Sequence, residues 1–159
     1  YHVAPRASES ASATMAQLFL QKRLAMQLSG RWLVPKYRED AKFNWDVVNF
    51  PSGDKGSIVQ ADASGFAISK ASKYKNADLR LVKYLSSKSA SEKFTKSGLI
   101  VPARIDTAYG TFLKNGNLPP KNAKIFLDVI KTSKKTPVSV DYNEIQDKTK
   151  QQNEKMFNL

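Results

Sequence analysis

The chain has 159 residues, of which 41% are hydrophobic and 25% are charged, and these fractions are typical of a folded globular protein. It contains no cysteine and one histidine, His2, so the sequence offers no disulfide, thiol nucleophile, two-histidine metal site or triad with a histidine base. The formal net charge of +12 raises nucleic acid as one class of partner.

The first predicted elements alternate between helix and strand. Residues 11–20 have apolar side chains at helical spacing, whereas residues 24–28 and 43–47 have them at every second position, as strands do. Gly30 ends the first strand, and the short helix predicted after it closes near Pro35 because proline interrupts helices.

The middle of the chain continues the alternation. Residues 58–68 have a strand-like composition, and residues 77–85 carry one apolar helical face. Ser89 with Glu92 has the spacing of a capping box, which predicts the start of another helix, and Gly98 would end it.

Two further helices follow a linker at residues 115–120. Apolar side chains within residues 125–130 define one helical face, and the last helix is predicted from Asp141 to about Met156. Because strands alternate with helices, the pattern predicts an α/β fold.

Trp32 is the side chain with the clearest functional pattern. It follows a glycine at the end of a predicted strand, and ligands of open α/β sheets bind at that edge. An indole offers a flat face on which a sugar ring can stack. The alternative is a tryptophan in the core, which is the role predicted for Trp45 within its alternating strand.

Five segments over about residues 15–104 carry a family resemblance. In order and spacing they resemble segments of extracellular solute-binding proteins of the sugar-binding type, to which maltose-binding proteins belong. The segments are residues 19–32 (similar to F-x-x-G-K-x-A-M-x-x-x-G-x-W), 43–51, 65–72 (similar to G-x-A-I-S-K-x-S), 77–85 (similar to A-x-x-F-x-x-Y-L) and 98–104 (similar to G-x-x-P-x-R). Two positions depart from the family pattern: Lys22 stands where the family usually has glycine, and Asp62-Ala63 where a glycine pair is common.

The resemblance implies a fold and a domain arrangement. It implies an α/β, periplasmic-binding-protein-like type II fold, of which this chain is the C-terminal part of a two-lobed receptor. Residues 1–52 would belong to the C-terminal lobe, residues 57–113 to the N-terminal lobe and residues 119–159 to the helices of the C-terminal lobe. The chain would then have the missing N-terminal half of the same protein as a partner and be marginally stable alone, because sheet edges would be uncovered.

The resemblance also implies a function. The chain would be an extracellular receptor, a cell-surface lipoprotein or periplasmic, that captures a small solute, with a sugar as the expected class. It would deliver the solute to the permease subunits of an ABC importer, and its only membrane contact would be a lipid anchor outside this chain. Neither catalysis nor a cofactor or metal is implied.

The alternative function is a basic nucleic-acid-binding module. The lysines and arginines are scattered among apolar and serine residues, a pattern that favours solvated helix faces over a specific nucleic-acid site. An enzyme that uses carboxylates, some of them in the missing half, is a third possibility.

Four residues are predicted to bind the solute under this resemblance. Trp32 would provide the stacking surface, Asp62 would accept hydrogen bonds from hydroxyl groups, and Arg104 would donate them. Tyr142, near the start of the last helix, would be a second aromatic wall.

Overall fold

A computed structural model describes residues 4–5, 12–114 and 117–157 of the chain. The chain divides into two compact units, one formed by residues 1–27 with 135–159 and the other by residues 28–134. The lobe boundaries inferred from the sequence differ from this division and stay a prediction.

The first unit contains two described helices. Helix α1, Met15–Leu20, begins with a capping box in which Gln17 N donates to Thr14 Oγ1 at 3.2 Å and Thr14 N donates to Gln17 Oε1 at 2.8 Å. These bonds satisfy backbone groups that a helix start leaves without partners. Leu18 is the buried residue of α1, and the helix predicted within residues 11–20 is confirmed.

The last helix of the chain is long and mostly solvent-exposed. We label it α7; it spans Tyr142–Phe157, in agreement with the helix predicted from Asp141 to about Met156. Ion pairs four residues apart, such as Lys148 Nζ to Glu144 Oε1 at 2.6 Å, lie on its surface. Such exposed pairs contribute only about 0.3–0.5 kcal/mol each to helix stability.

The second unit contains five helices among its described residues. A 3-10 turn, Arg31–Leu33, leads into α2, and π-helical and 3-10 turns extend α5 and α6. The bounds are Val34–Asp40 for α2, Lys75–Leu85 for α3, Lys88–Lys96 for α4, Ile105–Thr107 for α5 with its extension Ala108–Phe112, and Ile125–Asp128 for α6 with its extension Val129–Thr132.

The buried core of the second unit lies between the α5 and α6 segments. Phe112, Leu127 and Ala108 are its buried residues. Partly buried apolar side chains pack against them, namely Val101, Leu113, Ala123 and Phe126. The cluster is small, and in it the α5 extension packs against the α6 segment.

The predicted α/β fold is wrong. The structure is 46% helix and 3% strand and has no sheet among the described residues. The periplasmic-binding-protein-like type II architecture, as the C-terminal part of a two-lobed receptor, is therefore not what this chain forms. Isolated bridges pair Gly53 with Gly56 and Gln60 with Lys134.

The predicted strands do not form because an alternation of apolar and polar residues does not by itself provide a neighbouring strand for hydrogen bonding. A strand is stabilised by pairing with another strand and by a layer that covers its apolar face. Residues 24–28 and 43–47 form no regular structure. Met26 and Leu28 are 83% and 70% exposed, so these two side chains of residues 24–28 have no such layer to pack against. The alternating side chains of residues 43–47 are half-buried but have no neighbouring strand among the described residues.

Two helix boundaries also differ from the predictions. Pro35 lies in the first turn of α2, where its missing N–H is not needed, so the helix continues past it to Asp40. The cap of α4 is Ser87, whose Oγ accepts from Ala90 N at 3.3 Å, and not Ser89. Gly98, with φ of 79°, follows the end of α4 as predicted.

Candidate functional site

Trp32 lies in the 3-10 turn that opens α2, and its side chain is 71% exposed. The indole folds back over Gly30, where an added Cβ would be 1.9 Å from the indole atom Cζ3. A side chain at position 30 would therefore collide with the ring. The Gly-Arg-Trp sequence thus allows one face of the indole to lie against the backbone and leaves the rest of the ring exposed to solvent.

Trp45 has a different environment. It is half-buried, and its ring meets that of buried Tyr37 edge-on, with centroids 5.5 Å apart and an interplanar angle of 77°. This geometry is favourable for an aromatic pair. Trp45 is thus engaged in packing, as predicted.

Asp62 and Arg104 both make contacts close to themselves in sequence. Gln60 Nε2 donates to Asp62 Oδ2 at 3.0 Å. Arg104 precedes α5, and its Nε and Nη2 donate to the two carboxylate oxygens of Asp106 at 3.2 and 3.3 Å. These donors and Lys88 nearby hold the pKa of the Asp106 carboxyl below its usual value. The guanidinium of Arg104 is therefore already paired with a carboxylate.

Tyr142 is the first residue of α7 and belongs to the first unit. Its hydroxyl accepts a hydrogen bond from Gln146 Nε2 at 3.1 Å, one helical turn further on. Both side chains lie on the same face of α7.

The structure does not join the predicted site residues of the second unit. Trp32 makes no hydrogen bond, ion pair or ring contact with another described residue, whereas Asp62 and Arg104 are engaged locally. Trp32 is thus the predicted residue most available to a ligand. The binding roles of all four residues stay predictions.

A pair of arginines, one of which precedes Trp32 in the sequence, was not predicted from the sequence. We call Arg31 and Arg38 the arginine pair. Arg31 is only 7% exposed, and its guanidinium carbon lies 5.5 Å from the ring centroid of Phe112 and 5.9 Å from that of Phe126. Such cation–π contacts stabilise the positive charge.

The charge of the arginine pair is not neutralised by a described carboxylate. Arg31 Nε and Nη1 are buried and have no hydrogen-bond partner within the described ranges of the chain. Arg38 Nε donates to the carbonyl oxygen of Pro119 at 2.6 Å, which is a neutral acceptor. Burial, followed by repulsion from Arg38, lowers the pKa of Arg31 to about 10, and burial lowers the pKa of Arg38. Both side chains are still protonated at neutral pH.

Gly98 brings the two guanidinium groups to one place. A Cβ on Gly98 would be 3.1 Å from Arg38 Nη1 and 3.6 Å from Arg31 Nη2. Both cations thus reach the same glycine, so closely that a side chain at position 98 would be crowded. The only sequence signal for this arrangement is that Arg31 lies between Gly30 and Trp32, which does not indicate burial.

An open cleft lies elsewhere in the second unit, between α4 and the α5 segment. Its volume is about 390 Å³, and its lining residues are Lys88, Glu92, Lys96, Asp106, Gly110, Thr111 and Lys114. Lys88 lies 3.9 Å from Glu92 and 3.8 Å from Asp106, so its charge is shared between two carboxylates. The cleft contains none of the predicted site residues.

The described part of the chain has neither a membrane-spanning helix nor a metal-binding cluster. No helix there combines the length and the apolar composition that crossing a membrane requires. No group of three or more His, Cys, Asp or Glu side chains is placed to hold a metal ion in residues 4–5, 12–114 and 117–157.

Comparison with known proteins gives one match. The model of a family described as bacterial extracellular solute-binding protein matches residues 2–92, which is more than half of the chain. No curated protein and no solved structure matches. The matched region includes Trp32 and the arginine pair.

Proposed function

The chain belongs to the bacterial extracellular solute-binding proteins, and from this premise we propose that its solute is a sugar, delivered unchanged to an ABC importer. Solute binding outside the cell, in association with a transporter, follows from the family itself. The sugar, the ABC importer and the absence of catalysis are the proposal. A lipid anchor outside these 159 residues would hold the receptor at the cell surface.

The exposed indole of Trp32 is the observation that carries the proposal. The exposed indole has an apolar surface in contact with water, and the apolar C–H face of a sugar ring can cover that surface by stacking on it. Gly30 leaves the space in which the ring lies against the backbone. Asp62 and Arg104 are proposed to contact the hydroxyl groups, with Tyr142 as a second aromatic surface.

Substitution of Trp32 tests the proposal. We expect Trp32→Ala to weaken the affinity for a sugar by about tenfold or more, or about 1.4 kcal/mol, because the stacking surface is lost. The measurement is titration calorimetry with a panel of neutral mono- and oligosaccharides.

Tyr74→Ala is the matched control, because Tyr74 is another exposed aromatic residue of the second unit and has no proposed role. It should leave the affinity unchanged. Equal affinities of the unsubstituted chain and Trp32→Ala would refute the role of Trp32, and absence of binding to every sugar would refute the sugar proposal. Binding of a neutral sugar should also be insensitive to salt, unlike binding of nucleic acid.

A further inference from the structure

Arg31 is a buried cation whose hydrogen-bond donors have no acceptor among the described residues. Buried charges in proteins are normally paired, and a buried donor without an acceptor is costly. Stacking against Phe112 and Phe126 stabilises the charge but does not satisfy the N–H groups. An acceptor that carries negative charge would pair with the cation.

We propose that the arginine pair binds a carboxylate or phosphate group carried by the solute, so that the solute is an anionic sugar. This inference rests on the proposed solute-binding function. It adds a charged group to a ligand whose ring would contact Trp32.

The geometry of the pair suits an oxyanion. Guanidinium groups are planar forks of N–H donors that match the oxygens of carboxylates and phosphates. Arg38 is held by the carbonyl of Pro119 through Nε, which leaves its Nη groups without an acceptor among the described residues. Nη1 of Arg38 and Nη2 of Arg31 both lie close to Gly98, so the two cations present N–H groups at one place.

No described carboxylate is among the groups that shift the pKa of Arg31 or Arg38. Asp40, on the same helix as Arg38, is paired with Lys36 at 2.7 Å, and Asp106 is paired with Arg104. The pKa of Arg31 is lowered by burial and by Arg38, which agrees with a missing counter-charge. An anion at this place would reverse that effect.

The test compares ligands that differ only in charge. Thermal unfolding of the 159-residue chain is followed by circular dichroism with glucose, glucuronate, glucose 6-phosphate or inorganic phosphate, at constant ionic strength set with sodium chloride. A ligand that binds only the folded state raises Tm in a saturable way. Saturation separates this from the general stabilisation that phosphate gives by exclusion from protein surfaces.

We expect glucuronate or glucose 6-phosphate to raise Tm with an affinity at least about tenfold higher than that of glucose, since hydrogen bonds to charged groups are worth more than neutral ones. Arg38→Gln should lower the affinity for the anionic sugar to that of glucose. Lys36→Gln is the matched control, because it removes the same charge from the same helix at an exposed position and should keep the anion effect.

The inference would be overturned if glucuronate and glucose 6-phosphate act no better than glucose, if Arg38→Gln retains the full anion effect, or if Lys36→Gln loses as much of it as Arg38→Gln. A saturable effect of inorganic phosphate alone would also overturn it, because the ligand would then be a free ion. If glucose binds and Trp32→Ala abolishes its binding while anions have no added effect, this inference fails and the proposed function stands. Arg31→Met is a second variant, which removes the other cation of the arginine pair. If it does not fold, the result for Arg38→Gln alone decides whether the inference holds.

Discussion

Arg31 and Trp32 are adjacent in the chain and have opposite environments. The arginine is buried and the tryptophan is exposed, which reverses the usual preference of these two residue types. A 3-10 turn has three residues per turn, so neighbouring side chains point about 120° apart and only one of the two can face Phe112.

The sequence could therefore predict an aromatic surface near Gly30 but not its charged neighbour. Arginine side chains are usually exposed to solvent, so the sequence does not indicate that Arg31 is buried. Only the folded chain shows which of the two side chains faces the core. The hypothesis that Trp32 is accessible could be drawn from the Gly-Arg-Trp pattern. The environment of the arginine pair depends instead on Gly98 and Phe112, which are distant in the sequence.

Gly98 supports a prediction about stability. Gly98→Ala should lower the free energy of unfolding by about 1–2 kcal/mol, because φ of 79° is unfavourable for a residue with a Cβ. The new methyl group would also crowd Arg38 Nη1 at 3.1 Å. Urea unfolding measures the change.

Gly65→Ala is the control for Gly98→Ala, since a Cβ there meets no atom of the described residues within 4 Å. It should change the free energy of unfolding by less than about 0.5 kcal/mol. Equal losses for the two variants would contradict the strain assigned to Gly98.

Helices of this chain were predictable where a local pattern defines them. The apolar face of residues 77–85 lies in α3, and the prediction from Asp141 to about Met156 matches α7. Helical hydrogen bonds join residues four apart, so a short window contains most of the information. A strand needs a second strand to pair with, and a short stretch of sequence does not contain it. The alternation at residues 24–28 therefore predicted a strand that does not form.

The start of α4 supports a second prediction about stability. Ser87→Ala should lower the free energy of unfolding by about 1 kcal/mol, because the Ala90 N–H loses its acceptor. Ser89→Ala is the matched control at an exposed position inside the helix, where alanine is the better helix former, and it should be neutral or slightly stabilising.

Urea unfolding of both serine variants decides between the two caps. A larger loss for Ser89→Ala than for Ser87→Ala would favour the capping box predicted from the sequence over the one in the structure. The expected order is the reverse.

Stability is distributed unevenly over the molecule. Helix α4 contains three buried residues, Ala90, Ser91 and Thr95, whereas residues 143–156 of α7 are exposed throughout. Helices that lack buried contacts are marginal in water even when they carry ion pairs.

Hydrogen exchange followed by mass spectrometry should therefore separate the two helices. We expect the amides of α7 to exchange at least about tenfold faster than those of α4, because α7 opens without disrupting buried packing. Similar protection of α7 and α4 would show that α7 is held by packing that its exposure does not reveal.

The exposure of Trp32 has an optical consequence. The chain contains two tryptophans, and one of them, Trp45, is half-buried against Tyr37 while the other is in water. Emission from a water-exposed indole lies at longer wavelengths than that from a shielded one, so a ring stacked on Trp32 would move the spectrum to shorter wavelengths. The protein thus carries a fluorescent reporter at its candidate site and needs no dye to signal that the site is occupied.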